Sequence, residues 1–391
     1  MISVEEALAR VLALATPMPP ETVALAHAAG RWMPVPATAR RNQPPFAASA
    51  MDGYAVTGQP KPGDVLTVIG EAGAGHGFSG DIGAGQALRI FTGAPVPPGA
   101  TAVIIQEDVT TSGDQITLTA VSGNSNIRPI GNDFRIGDSI GPRRLRPNDL
   151  ALLAAMNIAQ VTVSRRPIVA IIATGDELVM PGEDPGPDQI IASNSFALKA
   201  LCEAEGAEVR LLPIARDTEA HLRMCFDLAQ GADLIVTIGG ASVGDHDLVG
   251  RVAQSLGLER AFYKIAMRPG KPLMAGRLRG VPMLGLPGNP VSAIVCGHLF
   301  LLPLIRAMLG DPAPAPKTRR AVLAEPVAPT GPRTHYMRAI VTEAAGLPQI
   351  SAFKQQDSAL LGILTQSNAL LIRPIDDGAR DRGEEVGYLP I

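Results

Sequence analysis

This chain of 391 residues contains few lysines and has no excess of positive charge. Only six of its 34 basic residues are lysines, and the formal net charge is −3. A nucleic-acid-binding protein needs a concentrated basic surface, so this composition predicts no nucleic acid among the partners. Two of the six lysines, Lys264 and Lys271, nevertheless lie within eight positions of each other, which marks that segment as a candidate anion-binding loop.

Cysteine is also rare. The three cysteines, Cys202, Cys225 and Cys296, are odd in number and far apart, which excludes a disulfide framework and a CxxC metal site. Their apolar helical context predicts buried side chains, and the lack of disulfides favours the cytoplasm. The histidines form no HxH or HExxH spacing, so no structural zinc is expected, and without a GxSxG motif covalent catalysis is not supported.

Long apolar runs are missing as well. No stretch approaches roughly 20 uninterrupted apolar residues, so the sequence predicts no membrane span. The first residues, MISVEEALARVLAL, carry two acids and no basic n-region, which argues against a signal peptide. Hydrophobic residues make up 46% of the chain and charged residues 18%, so we expect packed cores rather than disorder.

Glycine and proline are abundant, with 41 and 35 residues, and this predicts many turns and short strands. Residues 3–14 are predicted to form a helix that begins at Ser3. Changes in sequence pattern predict an N-terminal and linking domain, a β-rich inserted domain, an α/β domain and a C-terminal β domain, with the first helix a candidate to pack on the α/β domain. The N-terminal and linking domain is predicted to comprise residues 1–45 and 141–166, and the β-rich inserted domain residues 46–140. The α/β domain is predicted over residues 167–312, and the C-terminal β domain over residues 313–391.

Strand and helix patterns alternate through the predicted α/β domain. This alternation predicts a doubly wound parallel sheet with helices on both faces. Ligands of such sheets bind beyond the carboxyl ends of the strands. The predicted strands are residues 168–173, 208–214, 233–238, 262–266 and 281–286, and the predicted helices between or after them are residues 195–205, 219–230 and 290–308.

Polar or glycine-rich segments follow all five predicted strands. If the strands are parallel, their carboxyl ends bring the acids and bases of these segments to one cleft. Glycine turns and the helix that begins at Pro290 would offer backbone N–H groups to a phosphate or another oxyanion. Acids are poor partners for an anion unless a divalent cation bridges them to its oxygens, so the pattern suggests a metal-assisted reaction.

The most unusual of these segments is GGASVGDHD (residues 239–247), which fits neither the GxGxxG nor the Walker A pattern. Taken alone, this segment is equally consistent with close packing of the backbone and with an anion-binding site. We interpret His246 as a solvated loop residue and Asp176 as a turn cap, which leaves Glu177 as the site group of its loop. Candidates in the β-rich region, among them Asp52 and Asp133, are turn residues on composition alone.

Seven ordered motifs together resemble the molybdopterin molybdenumtransferases, the molybdenum insertase family that includes bacterial MoeA and the gephyrin E domain. The resemblance extends from about residue 5 to the C-terminal β region, where it is least distinctive. The motifs are SAMDGYA (49–55), TGAPVPPGATAVIIQED (92–108), RPIGNDFRIGD (128–138), TGDEL (174–178), GGASVGDHD, MRPGKP (267–272) and GLPGNPVSA (285–293).

The resemblance implies a multidomain α/β plus β protein with a central doubly wound α/β molybdopterin-binding domain, a β-rich inserted domain and a C-terminal β-barrel-like domain. Family members are elongated homodimers in which the β-rich domain of one subunit faces the α/β cleft of the other. They take adenylylated molybdopterin and molybdate, use a divalent cation, usually Mg²⁺, release AMP and insert molybdenum into the dithiolene. The product is the molybdenum cofactor.

Residues that match the family's motifs inherit an implied role. The implied catalytic acids are Asp52, Asp133, Glu177, Asp217 and Asp247, of which Asp247 and Glu177 are the implied metal ligands and Asp247 lies near hydrolysis of the adenylate. Arg268 stands where the family usually has lysine. A planar guanidinium group with several N–H donors therefore replaces the compact charge of an ammonium group. The implied binding residues for molybdate and the pterin phosphate are Thr92, Arg128, Gly239, Gly240, Ser242, Lys264, Arg268, Lys271, Pro272, Pro287, Gly288, Asn289, Pro290, Ser292, Arg338 and Ser358.

Two alternative functions remain open at this stage. A molybdopterin adenylyltransferase shares the α/β domain but consists essentially of that domain alone, and it is also a candidate partner protein. A non-catalytic scaffold of the gephyrin E-domain type would not need the acids that are present here.

Overall fold

The computed structural model describes residues 1–240 and 248–391, which divide into two compact units. One unit comprises residues 1–21 and 164–391, and the other comprises residues 22–163. The chain opens with helix α1 (Val4–Leu12), whose first turn is capped by Ser3, because the Ser3 hydroxyl accepts the Glu6 N–H at 3.1 Å. Arg10 of α1 donates to the carbonyl of Ala261 at 2.9 Å, so the helix packs on the α/β domain of its own unit.

The second unit is rich in short strands, as the sequence predicts. Its main sheet has six strands in the order β8-β5-β7-β6-β10-β9, and apolar clusters cover both of its faces. Two-stranded ladders, among them β12 with β3 and β13 with β2, contribute to a third cluster that includes helix α2. The elements are β1 (Pro20–Ala24), β2 (Trp32–Met33), β3 (Ala37–Thr38), β4 (Ala48–Ser49), β5 (Gly53–Val56), β6 (Val65–Ala72), β7 (Gln86–Ile90), β8 (Ala102–Ile105), β9 (Val109–Ser112), β10 (Gln115–Leu118), β11 (Ile127–Arg128), β12 (Ser139–Ile140), β13 (Arg143–Arg144), α2 (Pro147–Ala155) and β14 (Gln160–Ser164).

The α/β part of the first unit is built on a six-stranded sheet with the order β18-β15-β19-β23-β22-β20. Helices α4 and α5 pack on one face, and α3 and α6 lie against the strands from the other side, so the sheet is doubly wound. Its elements are β15 (Ile168–Ala173), β16 (Leu178–Val179), β17 (Ile190–Ile191), α3 (Asn194–Ala204), β18 (Glu208–Leu211), α4 (Glu219–Leu228), β19 (Leu234–Ile238), α5 (Leu248–Ser255), β20 (Leu258–Tyr263), β21 (Met267–Arg268), β22 (Met274–Leu278), β23 (Val281–Leu286), α6 (Pro290–Cys296) and α7 (Leu302–Leu309), with a π-helical turn, Gly297–Leu301, between the last two.

The expectation of a wholly parallel sheet is wrong at one strand. β18, β15, β19 and β23 are parallel, but β22 is antiparallel to both β23 and β20 and was not predicted. Arg279 and Gly280 join β22 to β23 with φ angles of 53° and 82°, a tight two-residue turn that forces an antiparallel pair. Because β20 is antiparallel to β22, it runs in the direction of β23, and its carboxyl end still lies at the predicted edge.

The C-terminal part of this unit closes into a small barrel, as predicted. Five strands follow one another around the barrel in the order β25-β26-β24-β28-β27, and pairing of β25 with β27 closes it. Its core includes Ala339, Ile350 and Leu371. The elements are β24 (Arg319–Leu323), β25 (Thr334–Thr342), β26 (Gln349–Ala352), α8 (Leu361–Gln366), β27 (Ala369–Arg373) and β28 (Glu385–Pro390).

Among the described residues, one helical stretch, Pro290–Leu309, has the length and apolar composition of a membrane span. The sequence predicts a helix over residues 290–308, but no uninterrupted apolar run marks it as a membrane span. Within its most apolar window, 78% of the residues are buried inside the protein. Burial on all sides is what a helix in a protein core requires, so we assign this stretch to the core.

Candidate active site

A cleft of about 530 Å³ opens at the carboxyl edge of the α/β sheet. It lies where β15, β19 and β23 end and where helices α3 and α6 begin, the position expected for a ligand site in this class of sheet. We call it the cleft throughout. Its lining includes nine of the predicted site residues, namely Glu177, Asp217, Gly239, Gly240, Pro272, Pro287, Gly288, Asn289 and Pro290.

The loop after β15 places Glu177 at this cleft. Arg216 anchors the loop, because one guanidinium nitrogen donates to the carbonyl oxygens of Asp176 and Leu178, both at 2.9 Å. The Asp176 carboxylate accepts the Asp217 N–H at 3.0 Å, a contact with a segment 41 residues away rather than with its own turn. Gly175 has φ +147°, and a Cβ atom there would lie 2.4 Å from a Glu177 carboxylate oxygen. The Glu177 carboxylate therefore folds back over Gly175.

Glu177 and Asp217 line this side of the cleft, and the Asp176 carboxylate is near enough to act on Asp217. Desolvation, followed by repulsion from Asp176 and Glu177, raises the pKa of Asp217 above its ordinary value. Hard carboxylate oxygens are the ligands that Mg²⁺ prefers, and a cation would relieve this repulsion, so the donor chemistry fits the predicted metal. Within residues 1–240 and 248–391, no three His, Cys, Asp or Glu side chains are grouped to hold a metal ion. The second predicted ligand, Asp247, lies outside the described residues.

The turn after β19 begins with Gly239 and Gly240, whose φ angles are 91° and 63°. A Cβ at Gly239 would lie 2.8 Å from the Thr174 carbonyl oxygen, and one at Gly240 would lie 2.2 Å from a methyl carbon of Val249. Close packing against the protein itself therefore explains why both residues are glycine. The predictions for Ser242, His246 and Asp247 fall outside the described part of the chain.

The opposite wall is formed by the GLPGNP turn that leads from β23 into α6. Asn194 at the start of α3 donates to the Gly288 carbonyl at 2.7 Å and so ties this turn to the neighbouring helix. Asn289 donates to the Ser358 hydroxyl at 3.0 Å, and the Val291 N–H donates to the Ser358 carbonyl at 3.1 Å. Ser358 thus caps part of the first turn of α6.

The predicted basic residues are not gathered around the cleft. Lys264 lies with its ammonium 5.5 Å from the centroid of the Tyr263 ring, and Lys271 is exposed on the loop that presents Pro272 to the cleft. Arg338 is almost fully buried and donates to the Asp357 carbonyl at 2.6 Å and to the Gln356 side chain at 3.2 Å. Arg338 therefore holds the loop that carries Ser358, and Arg268 lines a different pocket. The predicted binding residue Ser292 is buried within α6.

The second unit brings Asp52 and Thr92 together. Both the backbone N–H and the hydroxyl of Thr92 donate to the same Asp52 carboxylate oxygen at 2.7 Å. The backbone hydrogen bond from Thr92, then its hydroxyl and the charge of Arg89, hold the pKa of Asp52 below its usual value. Arg89 stacks on the Tyr54 and Phe91 rings, with its guanidinium carbon 5.0 and 4.8 Å from their centroids.

The other two candidates of this unit lie on separate segments. Arg128 belongs to β11 and pairs in register with Ala48 of β4, close in sequence to the Asp52 turn. Asp133 lies on an exposed loop held by a hydrogen bond of 2.9 Å from its own N–H to the Gln43 carbonyl.

Several cleft residues have no counterpart in the sequence predictions. Thr174, Ser193 and Asn194 add polar groups, while Ile190 and Ile191 of β17 form an apolar rim. Arg216, which anchors the Glu177 loop, was also missed. No local pattern marks these residues, because their roles depend on contacts between segments that are distant in sequence.

Comparison with known proteins gives a consistent family assignment. The MoeA N-terminal region (domains I and II) matches residues 2–157, the probable molybdopterin binding domain matches residues 170–307, and the MoeA C-terminal region (domain IV) matches residues 320–391. The molybdopterin molybdenumtransferase of Haemophilus influenzae is 35% identical over 100% of this chain and 98% of its own length. Molybdopterin molybdenumtransferase 2 of Mycobacterium tuberculosis is 36% identical over 91% of each chain.

A solved structure supports the same assignment. The crystal structure of the molybdopterin biosynthesis moeA protein from Pyrococcus horikoshii OT3 covers 100% of both chains with a TM-score of 0.86 and 28% identity. The similarity therefore includes the α/β domain, the β-rich part and the barrel, and it is not limited to one domain. On this combination of fold, ordered motifs and full-length similarity, the chain belongs to the molybdopterin molybdenumtransferase family.

Proposed function

We propose that this protein inserts molybdenum from molybdate into adenylylated molybdopterin and releases AMP, within molybdenum cofactor biosynthesis. The observation that carries the proposal is the cleft, where Glu177 and Asp217 face the glycine- and proline-rich turn before α6. Carboxylates opposite a turn with accessible backbone suit a phosphoanhydride substrate that needs both a cation and N–H donors. The names of the full-length relatives support the same pathway.

Different residues of the chain would shape the cleft, hold Mg²⁺ and bind molybdate. The loop that Arg216 anchors holds Glu177 at one wall, and the Asn194 contact to Gly288 holds the opposite wall in place. Glu177 and Asp247 are the residues that we propose to hold Mg²⁺. A bound Mg²⁺ supplies positive charge that polarises the phosphorus–oxygen bonds of the adenylate. Lys271 and Pro272 on the adjoining loop are the proposed contacts of molybdate.

We further propose that the active site is completed by a second copy of this chain in a homodimer. The Asp52 carboxylate has its pKa held low and keeps one oxygen bonded to Thr92, which leaves an ionised group oriented by its own unit. Asp52, Thr92, Asp133 and Arg128 would reach the cleft from the partner copy. The free thiols of all three cysteines support a reducing, cytoplasmic setting.

The test is AMP release by Asp247→Ala. We expect hydrolysis of adenylylated molybdopterin to slow by roughly 10²–10⁴-fold, the usual contribution of a positioned catalytic carboxylate, while the substrate still binds. AMP release is measured by chromatography and substrate binding by equilibrium dialysis. Asp188→Ala, which removes an exposed acid of the same unit, is the control and should leave the rate unchanged.

Rapid AMP release by Asp247→Ala would rule out the proposed hydrolytic role. The alternative activities are separated with the unaltered protein. An adenylyltransferase would consume ATP when given molybdopterin, whereas a scaffold would turn over neither substrate. We expect no ATP consumption and molybdate-dependent release of AMP.

A further inference from the structure

Asp52 and Thr92, which are hydrogen-bonded to each other, lie just beyond the ends of the strands that carry them. Asp52 immediately precedes β5, and Thr92 follows the end of β7 by two residues. The ladder between these strands pairs Gly53 with Ile90, so it stops short of both residues. Asp52 is exposed, and in the described part of the chain its second carboxylate oxygen accepts no hydrogen bond. The position of this free oxygen therefore depends on contacts outside the ladder.

Arg89 contacts the chain neighbour of each member of this pair. One terminal nitrogen of its guanidinium group donates to the carbonyl of Gly53, the residue after Asp52, at 3.3 Å. The guanidinium carbon also lies 4.8 Å from the centroid of the Phe91 ring, and Phe91 directly precedes Thr92. The Arg89 side chain therefore ties together two segments that are 40 residues apart in the sequence.

The guanidinium group of Arg89 is itself held in one orientation. Its other terminal nitrogen donates to the side-chain oxygen of Gln106 at 2.7 Å, and the backbone N–H of Gln106 donates to the Asp52 carbonyl at 3.1 Å. Tyr54 stands opposite Arg89 in the ladder, and its ring centroid lies 5.0 Å from the guanidinium carbon. A planar guanidinium group can stack on rings while it donates within its plane, which an ammonium group cannot do.

The groups around Arg89 leave its positive charge uncompensated. Across residues 1–240 and 248–391 it makes no ion pair, since its contacts are two oxygens of neutral groups and two aromatic rings. Glu71 stands opposite it on β6 but does not pair with it. After the backbone and then the hydroxyl hydrogen bond from Thr92, the charge of Arg89 also lowers the pKa of Asp52. Geometry and charge thus act on the same carboxylate.

We propose that Arg89 is a positioning residue for the proposed reaction and fixes Asp52 and Thr92 so that the free Asp52 oxygen faces the substrate in one orientation. Both terminal nitrogens of Arg89 bind groups of its own unit, so its role is to hold the pair and not to bind substrate. This role rests on the proposed function, because it takes Asp52 and Thr92 to act at the active site. Small displacements of reacting groups are costly, so losing the tie slows turnover more than it weakens substrate binding.

The first test is the kinetics of AMP release by Arg89→Met, which removes the charge and both hydrogen bonds. We expect kcat to fall by roughly tenfold to a hundredfold while KM changes by less than about twofold, because Arg89 does not bind the substrate. Arg89→Lys restores the charge without the planar group and should recover part of the rate. Arg41→Met removes an exposed arginine of the same unit that makes none of these contacts, and it is the matched control.

Hydrogen exchange of the Thr92 amide, followed by nuclear magnetic resonance without substrate, measures positioning independently of turnover. This N–H donates to the Asp52 carboxylate, so its exchange reports how firmly the pair is held. We expect roughly tenfold faster exchange in Arg89→Met, and Asp52→Asn gives the rate without the charged acceptor. If circular dichroism shows that Arg89→Met folds poorly, Gln106→Leu removes one anchor of the guanidinium group, keeps its charge and should show the same changes to a smaller degree.

Thr92 exchange that Arg89→Met leaves unchanged would overturn the proposal, whatever the rate of AMP release. A rise in KM at constant kcat would also overturn it, because Arg89 would then bind the substrate directly. If the unaltered protein releases no AMP, the proposed function fails, and the exchange of Thr92 alone then decides whether Arg89 holds the pair.

Discussion

Gly175 is the residue on which the position of Glu177 depends. Its φ of +147° disfavours other residues, and a Cβ atom would overlap the Glu177 carboxylate at 2.4 Å. A substitution here therefore has two effects, which are backbone strain and displacement of an acid that lines the cleft. Only the second effect concerns catalysis.

We predict that Gly175→Ala lowers the rate of AMP release by roughly tenfold to a hundredfold, because small displacements of reacting groups are costly. Gly182→Ala is the matched control, since Gly182 also has a positive φ, +95°, but nothing lies within 4 Å of its Cβ position. Both variants should lose about 1–2 kcal/mol of unfolding free energy through strain. Equal rates of AMP release by the two variants would show that the position of Glu177 does not depend on Gly175.

The sequence predicts some of the cleft residues and misses others for a physical reason. Glu177 and Asp217 follow strands whose apolar pattern is local, so their place at the carboxyl edge could be predicted. Arg216 stands beside Asp217, but its role arises from hydrogen bonds to carbonyls about 40 residues away in sequence. No local pattern encodes such a contact.

At the scale of elements, the barrel is stabilised by a buried ion pair. Arg373 is completely buried, and its Nε donates to the Asp377 carboxylate at 2.6 Å, which Arg380 also contacts at 2.8 Å. Hydrogen bonds from Arg380, then from Arg373, hold the pKa of Asp377 below its ordinary value. Ionised Asp377 therefore stabilises the fold at neutral pH, and this stabilisation is lost as the pH falls through that lowered pKa.

We predict that Asp377→Asn lowers the free energy of unfolding by about 3–5 kcal/mol, because it leaves the Arg373 charge buried without a counterion. Glu385→Gln breaks the exposed pair of Arg320 with Glu385 in the same barrel and should cost less than about 1 kcal/mol. Urea unfolding monitored by circular dichroism measures both. A similar loss in the two variants would contradict the role assigned to the buried pair.

The hairpin of β22 and β23 shows the limit of prediction at this scale. Five of the six strands in the α/β sheet were predicted from their apolar runs, but no strand was predicted over residues 274–278. The turn formed by Arg279 and Gly280 is not one of the strong hairpin dipeptides, so only the φ angles of the folded chain reveal it.

At the scale of the whole molecule, two half-buried histidines make the fold sensitive to acid. Burial, chiefly, lowers the pKa of His298 and of His335 to about 4 each. In the unfolded chain a histidine titrates near 6.5, so between about pH 6.5 and 4 the unfolded state binds protons that the native state does not. The free energy of unfolding must therefore decrease as the pH is lowered across that window.

We predict a loss of up to about 1.4 kcal/mol per pH unit and per histidine as the pH drops from 6 to 5. His298→Gln should make this dependence shallower, and His221→Gln, an exposed histidine of the same unit, should leave it unchanged. Urea midpoints measured from pH 7 to 5 provide the test. An unchanged slope in His298→Gln would show that this histidine does not contribute.

The sequence by itself determined the fold class, the parallel core strands, the β-rich part, the barrel and the family. Each of these follows from apolar periodicity or from motifs, and both involve residues that are close together in the sequence. It also predicted that acids meet a glycine- and proline-rich turn at one edge of a sheet. Only the tertiary structure decided that Arg338 is buried as an anchor, that Arg216 holds the Glu177 loop and that Arg268 lines a pocket beside the barrel and not the cleft. A charged side chain looks the same in sequence whether it faces a ligand, a carbonyl or another strand, and that choice depends on which distant segments pack beside it.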